Sequence, residues 1–322
     1  MERAMIAAVY ADSALRDVRM VRPSSMEFAF GKDENDFEVR VPDGHVPLAL
    51  GGYLYVDGTE LGGMVIDVTN DPDERQRAYG GMTWHGMLAA KVLQPDSGSD
   101  YLTVSGELNS VVSSLIKRVG LDSVMSAPPE SSGIVVKRQL ARYCTAYEGI
   151  SSVMASVGMV MRATCIGGNV VVSAERRRSL ERKAKTSRHS LPVNHLVCLG
   201  KGELASRTVV HLYADANGSV SRSQTLKGSL ERAEVYDYSS AEESELVEKG
   251  TEHLLKEQVF AEASFSDFGA DELLVGDEVW SYDAATDLTV TVPVEKKIVS
   301  MGKSGTSVSY EAGDATIKQG KM

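Results

Sequence analysis

The side chains of this chain whose types suit chemistry are three cysteines, six histidines, a Gly-Lys-Gly turn and an acidic cluster near residue 275. Cys144, Cys165 and Cys198 would serve a thiol enzyme only if a histidine lowered the thiol pKa. They would serve a metal only at close spacing. They form no Cys-x-x-Cys pair, and no motif surrounds Cys144, although His195 or His211 could approach it. Buried thiols in a reducing cytosol are the expectation. His45, His85, His189, His195, His211 and His253 show no zinc-ligand spacing with one another or with a carboxylate. His85 and His211 fall within strand patterns and read as sheet histidines. Asp271, Glu272, Asp277 and Glu278 offer oxygen ligands, but not at the spacing of a helix–loop–helix calcium site, so they read as acidic strand flanks. Gly200-Lys201-Gly202 lacks the four intervening residues and the Lys-Ser/Thr pair of a phosphate loop. It reads as a turn between strands. Trp84 and Trp280 read as core or interface fillers. No catalytic, cofactor or metal site is expected.

A basic run remains: Arg176, Arg177, Arg178, Arg182 and Lys183, continued by Lys185 and Arg188. Glu175 and Glu181 temper it, and no aromatic residue is interleaved for base stacking. It reads as a solvated linker or as a protein–protein contact.

The elements that must position these groups follow from periodicity. Phe37, Val39 and Val41 alternate with Asp36, Glu38 and Arg40, as in a half-buried strand. Asp57-Gly58 between two apolar runs marks a hairpin, and residues 79–85 read as a strand. Many short strands before residue 95 suggest a small barrel or sandwich. Between 107 and 119, Leu108, Val111, Val112, Leu115 and Ile116 have helical spacing, and Gly120 stops the helix. A second helix is predicted over 148–157, then a hairpin around Gly167-Gly168. Strands recur over 193–199, 208–213 and 233–238, followed by a helix to residue 258 and strand structure over 259–265. Leu288, Val290, Val292 and Val294 alternate with Thr289, Thr291 and Pro293 in a half-buried strand of a closed or nearly closed C-terminal unit.

With 322 residues, 43% apolar and 25% charged, the chain is long enough for two to four packed domains. A net charge of −11 opposes nucleic-acid binding, though it suits a surface that DNA must slide past. The first residues are acidic and too briefly apolar for a signal peptide, and no run approaches a membrane span. A soluble product of a cytosol is expected.

The order of segments resembles a known family. Tyr79-Gly80-Gly81-Met82-Thr83-Trp84-His85-Gly86-Met87-Leu88 closes the first β unit. A helix-bearing middle follows, then Val197-Cys198-Leu199-Gly200-Lys201-Gly202-Glu203-Leu204-Ala205-Ser206-Arg207. Leu274-Val275-Gly276-Asp277-Glu278-Val279, Val294-Glu295-Lys296-Lys297-Ile298-Val299 and Ser309-Tyr310-Glu311-Ala312-Gly313 complete the order. Over nearly its whole length this resembles the tail hub proteins of long-tailed, non-contractile bacteriophages, which are related in fold to the baseplate hub of contractile tails.

The resemblance implies an α+β, mainly β chain with two small antiparallel β-barrels flanking α+β middle domains. The implied domains are an N-terminal barrel at 1–95, an insertion domain at 96–190, a second middle domain at 191–265 and a C-terminal barrel at 266–322. It implies a structural virion protein without enzymatic activity or cofactor. Three copies would form a ring that converts sixfold tube symmetry to threefold tip symmetry and leaves a channel for DNA. Its partners would be the distal tail protein, the tape measure protein and tail-tip or fibre proteins, with no specific nucleic-acid binding. It would be made in the bacterial host cytoplasm and reside at the virion tail tip. A chain stopping at Met322 would be a bare hub without a lytic domain. The competing readings are a tail-tip cell-wall hydrolase and a host-receptor-binding module. Two tryptophans and 6% aromatic residues argue against the second. Under the hub reading, part of the acidic excess faces the bore and the basic run contacts a neighbour.

Overall fold

The structure is a computed structural model and describes residues 7–44, 46–71, 73–188, 192–216, 218–257, 261–265, 268 and 272–319. His45, His189, Asn217 and Asp271, the first six residues and residues 259–260 of the predicted strand lie outside the described residues. The chain divides into two units: residues 1–182, 267–280 and 291–314 form unit 1, and residues 183–266, 281–290 and 315–322 form unit 2. The class is the predicted one, α+β and mainly β.

Unit 1 opens with β1 (Ala8–Ala11), β2 (Asp17–Val21), β3 (Ser25–Gly31), β4 (Asp36–Pro42), β5 (Tyr53–Tyr55), β6 (Gly62–Asp71) and β7 (Gln76–Thr83). β4 alternates as predicted, with Phe37, Val39 and Val41 buried and Asp36 and Glu38 exposed. β5 and β6 pair antiparallel around the Asp57-Gly58 turn, with Tyr53 opposite Met64. The strand predicted over 79–85 ends two residues early. Thr83 caps helix α1 (Trp84–Ala89), its side chain accepting from Gly86 N at 3.2 Å. His85 is therefore a helix residue, not a sheet histidine.

The chain continues through β8 (Thr103–Glu107), α2 (Leu108–Arg118), β9 (Met125–Ser126), β10 (Val135–Gln139), α3 (Ala146–Ala155), β11 (Met159–Ile166), β12 (Asn169–Arg176) and β13 (Ser179–Glu181). The predicted apolar stripe of α2 is buried at Leu108, Val111, Val112, Leu115 and Ile116. Helix α3 starts two residues before its predicted position because Thr145 and Glu148 form a capping box: Thr145 Oγ1 accepts from Glu148 N at 3.1 Å and Glu148 Oε2 accepts from Thr145 N at 2.8 Å. β11 and β12 make the predicted hairpin, Ile166 opposite Asn169. The three helices pack on this hairpin in one apolar core that includes Trp84, Leu115, Ile150 and Val172.

Unit 2 contains β14 (Ala184–Arg188), β15 (His195–Leu199), β16 (Val209–Ala214), β17 (Val220–Ser221), β18 (Ala233–Asp237), α4 (Glu243–Glu257) and β19 (Ala261–Phe265). Its four-stranded sheet runs β17-β16-β15-β18. One face buries Leu196, Cys198, Val210 and Leu212 with Leu246 and Leu254 of α4. β20 (Glu278–Asp283) and β21 (Leu288–Gly302) contribute residues to both units, β22 (Gly305–Ala312) lies in unit 1 and β23 (Thr316–Gln319) in unit 2.

The two separate barrels expected at the chain ends give way to a different pairing. β21 pairs antiparallel with β3, Lys297 opposite Phe30 and Val299 opposite Phe28, and β22 pairs with β21. The first and last strands of unit 1 thus share one sheet, ordered β13-β20-β21-β3-β4-β7-β6-β5-β1-β2, and among the described residues it does not close on itself. β3 pairs with β4 on one side only, and the long β21 satisfies its other edge, which would otherwise expose a row of backbone donors and acceptors.

β21 carries a bulge between Val294 and Lys296. Before it the alternating buried set is Leu288, Val290, Val292 and Val294, with Thr289 also covered; after it the buried residues are Lys297 and Val299. One inserted residue exchanges the faces of everything that follows.

Candidate functional site

The basic run divides in two. Arg177 Nη1 lies 3.0 Å from Glu278 Oε1. Asp277, fully buried, accepts from Arg178 N at 2.8 Å, Arg178 Nε at 3.1 Å and Leu274 N at 2.8 Å. Arg178 also donates to Glu272 O, and Arg182 Nε donates to Phe268 O at 2.9 Å. These three arginines hold two distant segments of unit 1 together. Arg176 and Lys183 are exposed, the first in unit 1 and the second in unit 2. Of the acidic flanks considered for calcium, Asp277 and Glu278 pair with Arg178 and Arg177, and the Glu272 carboxylate pairs with Lys297 and Arg162.

The bulge in β21 sends a lysine inward. Lys297 is 2% exposed, and its Nζ lies 2.7 Å from Glu60 Oε1 and 3.0 Å from Glu272 Oε1. Arg162 adds contacts to Glu272 at 3.4 Å and Glu175 at 3.3 Å. Burial opposes the lysine charge, but Glu60 and Glu272 outweigh it, so the Lys297 pKa lies above the ordinary value. Sequence periodicity alone would have put Ile298 inside and Lys297 outside.

Beside this network lies a cavity of about 120 Å³ lined by Phe30, Glu60, His85, Tyr147 and Arg177 among others. His85 sits edge-on to the Phe30 and Tyr147 rings at 5.4 and 5.8 Å. Burial lowers its pKa to about 4, so it is a neutral imidazole at physiological pH. The cysteines are buried, and burial raises Cys198 to about 11 and Cys165 to about 12. That is the opposite of an activated thiol.

The opposite side of the unit 1 sheet is acidic. Glu27 of β3 stands directly across from Glu38 of β4. Together with Glu34, Asp36, Asp67 and Glu74 they line an open groove of about 530 Å³ whose floor includes the small residues Ala29, Ala78 and Gly80. Arg40 lines the groove as well, with Nε 2.7 Å from Glu38 Oε1 and Nη1 3.2 Å from Glu74 Oε2, and Lys296 ion-pairs with Glu34. Ser300 Oγ donates to Glu27 Oε2 at 2.7 Å and Gly80 N to Asp67 Oδ1 at 3.2 Å. Burial, then the charge of Glu34, raises the Asp36 pKa. Like charges directly across a strand pair weaken it, so the Glu27–Glu38 pairing costs the sheet some stability. The alternation in β4 signals the exposed Asp36 and Glu38; their meeting with Glu27 and Asp67 depends on strand order.

In unit 2, Gly200-Lys201-Gly202 is the predicted turn between β15 and β16. Gly202 has φ +108, and a Cβ there would meet Ser206 O at 2.6 Å. A Cβ on Gly200 would meet Ala241 O at 2.8 Å. These glycines serve close backbone approach, not phosphate. His211 lies on a strand as predicted, whereas His195 and His211 prove to be hydrogen-bonded to each other, a pairing absent from the sequence spacing.

No protein-family model and no curated protein matches this sequence. Solved structures similar to it include three tail proteins. A tail protein from Neisseria meningitidis is 10% identical, with a TM-score of 0.43 and 96% of each chain covered. A prophage tail protein from Listeria monocytogenes is 12% identical, with a TM-score of 0.47 and 96% of this chain and 95% of that one covered. The tail protein of prophage MuSo2 from Shewanella oneidensis is 12% identical, with a TM-score of 0.46, and the match covers 96% of this chain and 98% of that one. The likeness concerns the fold, and no residue role carries over at that distance.

Proposed function

We propose that this chain is a structural protein of a bacteriophage tail, a hub protomer without enzymatic activity that acts at the virion tail tip. Three copies close the distal end of the tail tube, convert its sixfold symmetry to a threefold tip and form the channel through which DNA leaves. The acidic outward face of the unit 1 sheet carries this reading. Its six groove-lining carboxylates outnumber the cations that ion-pair with them among the described residues, Arg40 and Lys296, on a backbone whose strands pair from β2 to β13. Carboxylates lining a bore repel the phosphate backbone and keep passing DNA from adhering. A hydrogen-bonded sheet with a packed inner face gives that lining a stiff support. The order of sequence segments resembling tail hubs supports the same reading.

The partners are two further copies of this chain, the distal tail protein, the tape measure protein and tail-tip or fibre proteins. Arg176, Lys183 and Lys185 are exposed and open to a neighbour. DNA is a transient passenger, not a specific ligand, and no cofactor takes part.

The test uses the full chain. Light scattering after size exclusion should give a trimer of the 34.7 kDa chain, in solution or once assembled on tails. A stable dimer would refute the hub. A Glu27→Lys, Glu38→Lys, Asp67→Lys variant should still assemble but slow DNA release from virions, most strongly at low salt. Unchanged release from folded, assembled variant tails would remove the groove from the bore.

A further inference from the structure

The face of the unit 2 sheet opposite α4 carries a cluster of groups that the tail reading leaves unused. Val197 is paired with His211 and His195 with Tyr213 across the antiparallel β15–β16 ladder, so the two histidines lie diagonally on the same outward face. His195 Nε2 and His211 Nδ1 are 2.8 Å apart. The other nitrogen of His195, Nδ1, lies 2.6 Å from Glu231 Oε1. The Tyr213 ring stacks on His195 at 4.4 Å between centroids, and His211 is exposed to solvent.

The support for Glu231 is built into the fold. Asn194, 3% exposed, donates through Nδ2 to Leu230 O at 2.7 Å and accepts at Oδ1 from Arg232 N at 3.0 Å. It thereby fixes the two residues flanking Glu231 and directs that carboxylate at His195. A carboxylate accepts and does not donate, so Nδ1 of His195 bears the hydrogen and its Nε2 is left with a lone pair aimed at His211. A second partner on one ring nitrogen that orients the other toward a metal is the usual outer arrangement of metal-bound histidine.

We propose that His195 and His211 form an open two-histidine site for an imidazole-preferring divalent metal ion such as Zn²⁺, Ni²⁺ or Cu²⁺, with Glu231 as the positioning residue for His195. Metal–nitrogen bonds of about 2.0–2.1 Å at a tetrahedral angle separate the two nitrogens by about 3.3 Å. The rings therefore need to part by about half an ångström, a small rotation for the exposed His211. The hydrogen the two nitrogens now share belongs to His211 Nδ1; on metal binding His211 carries its hydrogen on Nε2 instead, and the ion takes the vacated place. Among the described residues no group of three His, Cys, Asp or Glu side chains is arranged to hold a metal, so water fills the remaining positions. Imidazole ligands favour these ions over magnesium or calcium.

The experiment is calorimetric titration of the full chain with NiCl₂ and with ZnCl₂, alongside circular dichroism to verify folding. One site per chain is expected. His211→Ala and His195→Ala should each abolish it, and Glu231→Gln should weaken it by roughly 10- to 100-fold. His253→Ala, which removes the separate His253–Glu234 contact at 3.1 Å, should leave it unchanged. Zinc should also shift the imidazole NMR signals of His195 and His211 in the unaltered chain. Absence of binding by the wild-type protein, or equal binding by the folded His195→Ala, His211→Ala double variant, would overturn the proposal. The hub reading stands or falls separately, on the oligomer and DNA-release measurements.

Discussion

Unit 2 seals its sheet with an apolar set: Leu196, Cys198, Val210 and Leu212 meet Leu246 and Leu254 of α4. Unit 1 also has an apolar core under its strands, yet it buries Lys297 with Glu60 and leaves His85 neutral between two aromatic rings. The difference lies in what each arrangement specifies. Apolar contacts tolerate small slips, because one leucine can replace another against the same surface. A buried ion pair does not, because a shifted strand would leave a charge uncovered by its partner. The pair joins residues 237 positions apart, and it sits just after the bulge where β21 changes face. We infer that it holds β21 in register against the turn between β5 and β6.

The largest expected effect separates the two modes of burial. Lys297→Met takes the direct partner from Glu60, leaving the Arg162 guanidinium with its Nε 3.9 Å from Oε2, and should destabilise unit 1 by about 3–5 kcal/mol in urea unfolding. Adding Glu60→Leu should recover much of that loss, since replacing a whole buried pair by apolar groups is far less harmful than halving it. Leu254→Ala in unit 2 should lose about 2–5 kcal/mol through its cavity, without any comparable single-site rescue. Equal behaviour of the two sites would dissolve the contrast.

Acid titration sharpens the contrast next. The folded His85 has a pKa of about 4 against an ordinary 6.5, so the unfolded chain takes up the proton first as pH falls. The stability present above pH 6.5 should decline as pH falls toward 4, by up to about 3 kcal/mol, given roughly 1.4 kcal/mol per pKa unit. His85→Leu should flatten unfolding midpoints across that window, and an unaltered slope would show that His85 is not the group responsible. The smallest effect concerns the outward face. Glu27→Gln keeps a side-chain acceptor for Ser300 and removes a like charge opposite Glu38, so it should stabilise the fold by a few tenths of a kcal/mol, more at low salt. A loss of stability would mean that Glu27 is held mainly by favourable contacts.

Much of the secondary structure was legible because it is set over a few residues. The alternation in β4, the stripe of α2 and the β11–β12 hairpin needed no distant partner. Where local signals competed, reading was less sure: Thr83 looked like strand and served as a helix cap. The Thr145/Glu148 capping box was available as a signal for the true start of α3. The basic run was visible as charge, but the segment carrying Asp277 and Glu278 absorbed two of its arginines, leaving a smaller exposed surface.

The amino-acid order by itself determined which residues could form half-buried strands and amphipathic helices, since backbone sterics and a period of 2 or 3.6 act within one segment. It also determined the net charge of −11. Tertiary structure decided that the end strands share a sheet, that a bulge turns Lys297 inward, that Glu27 faces Glu38 and that His195 meets His211. Each of these depends on strand register between separate stretches of chain, and register is settled by pairing and packing across space.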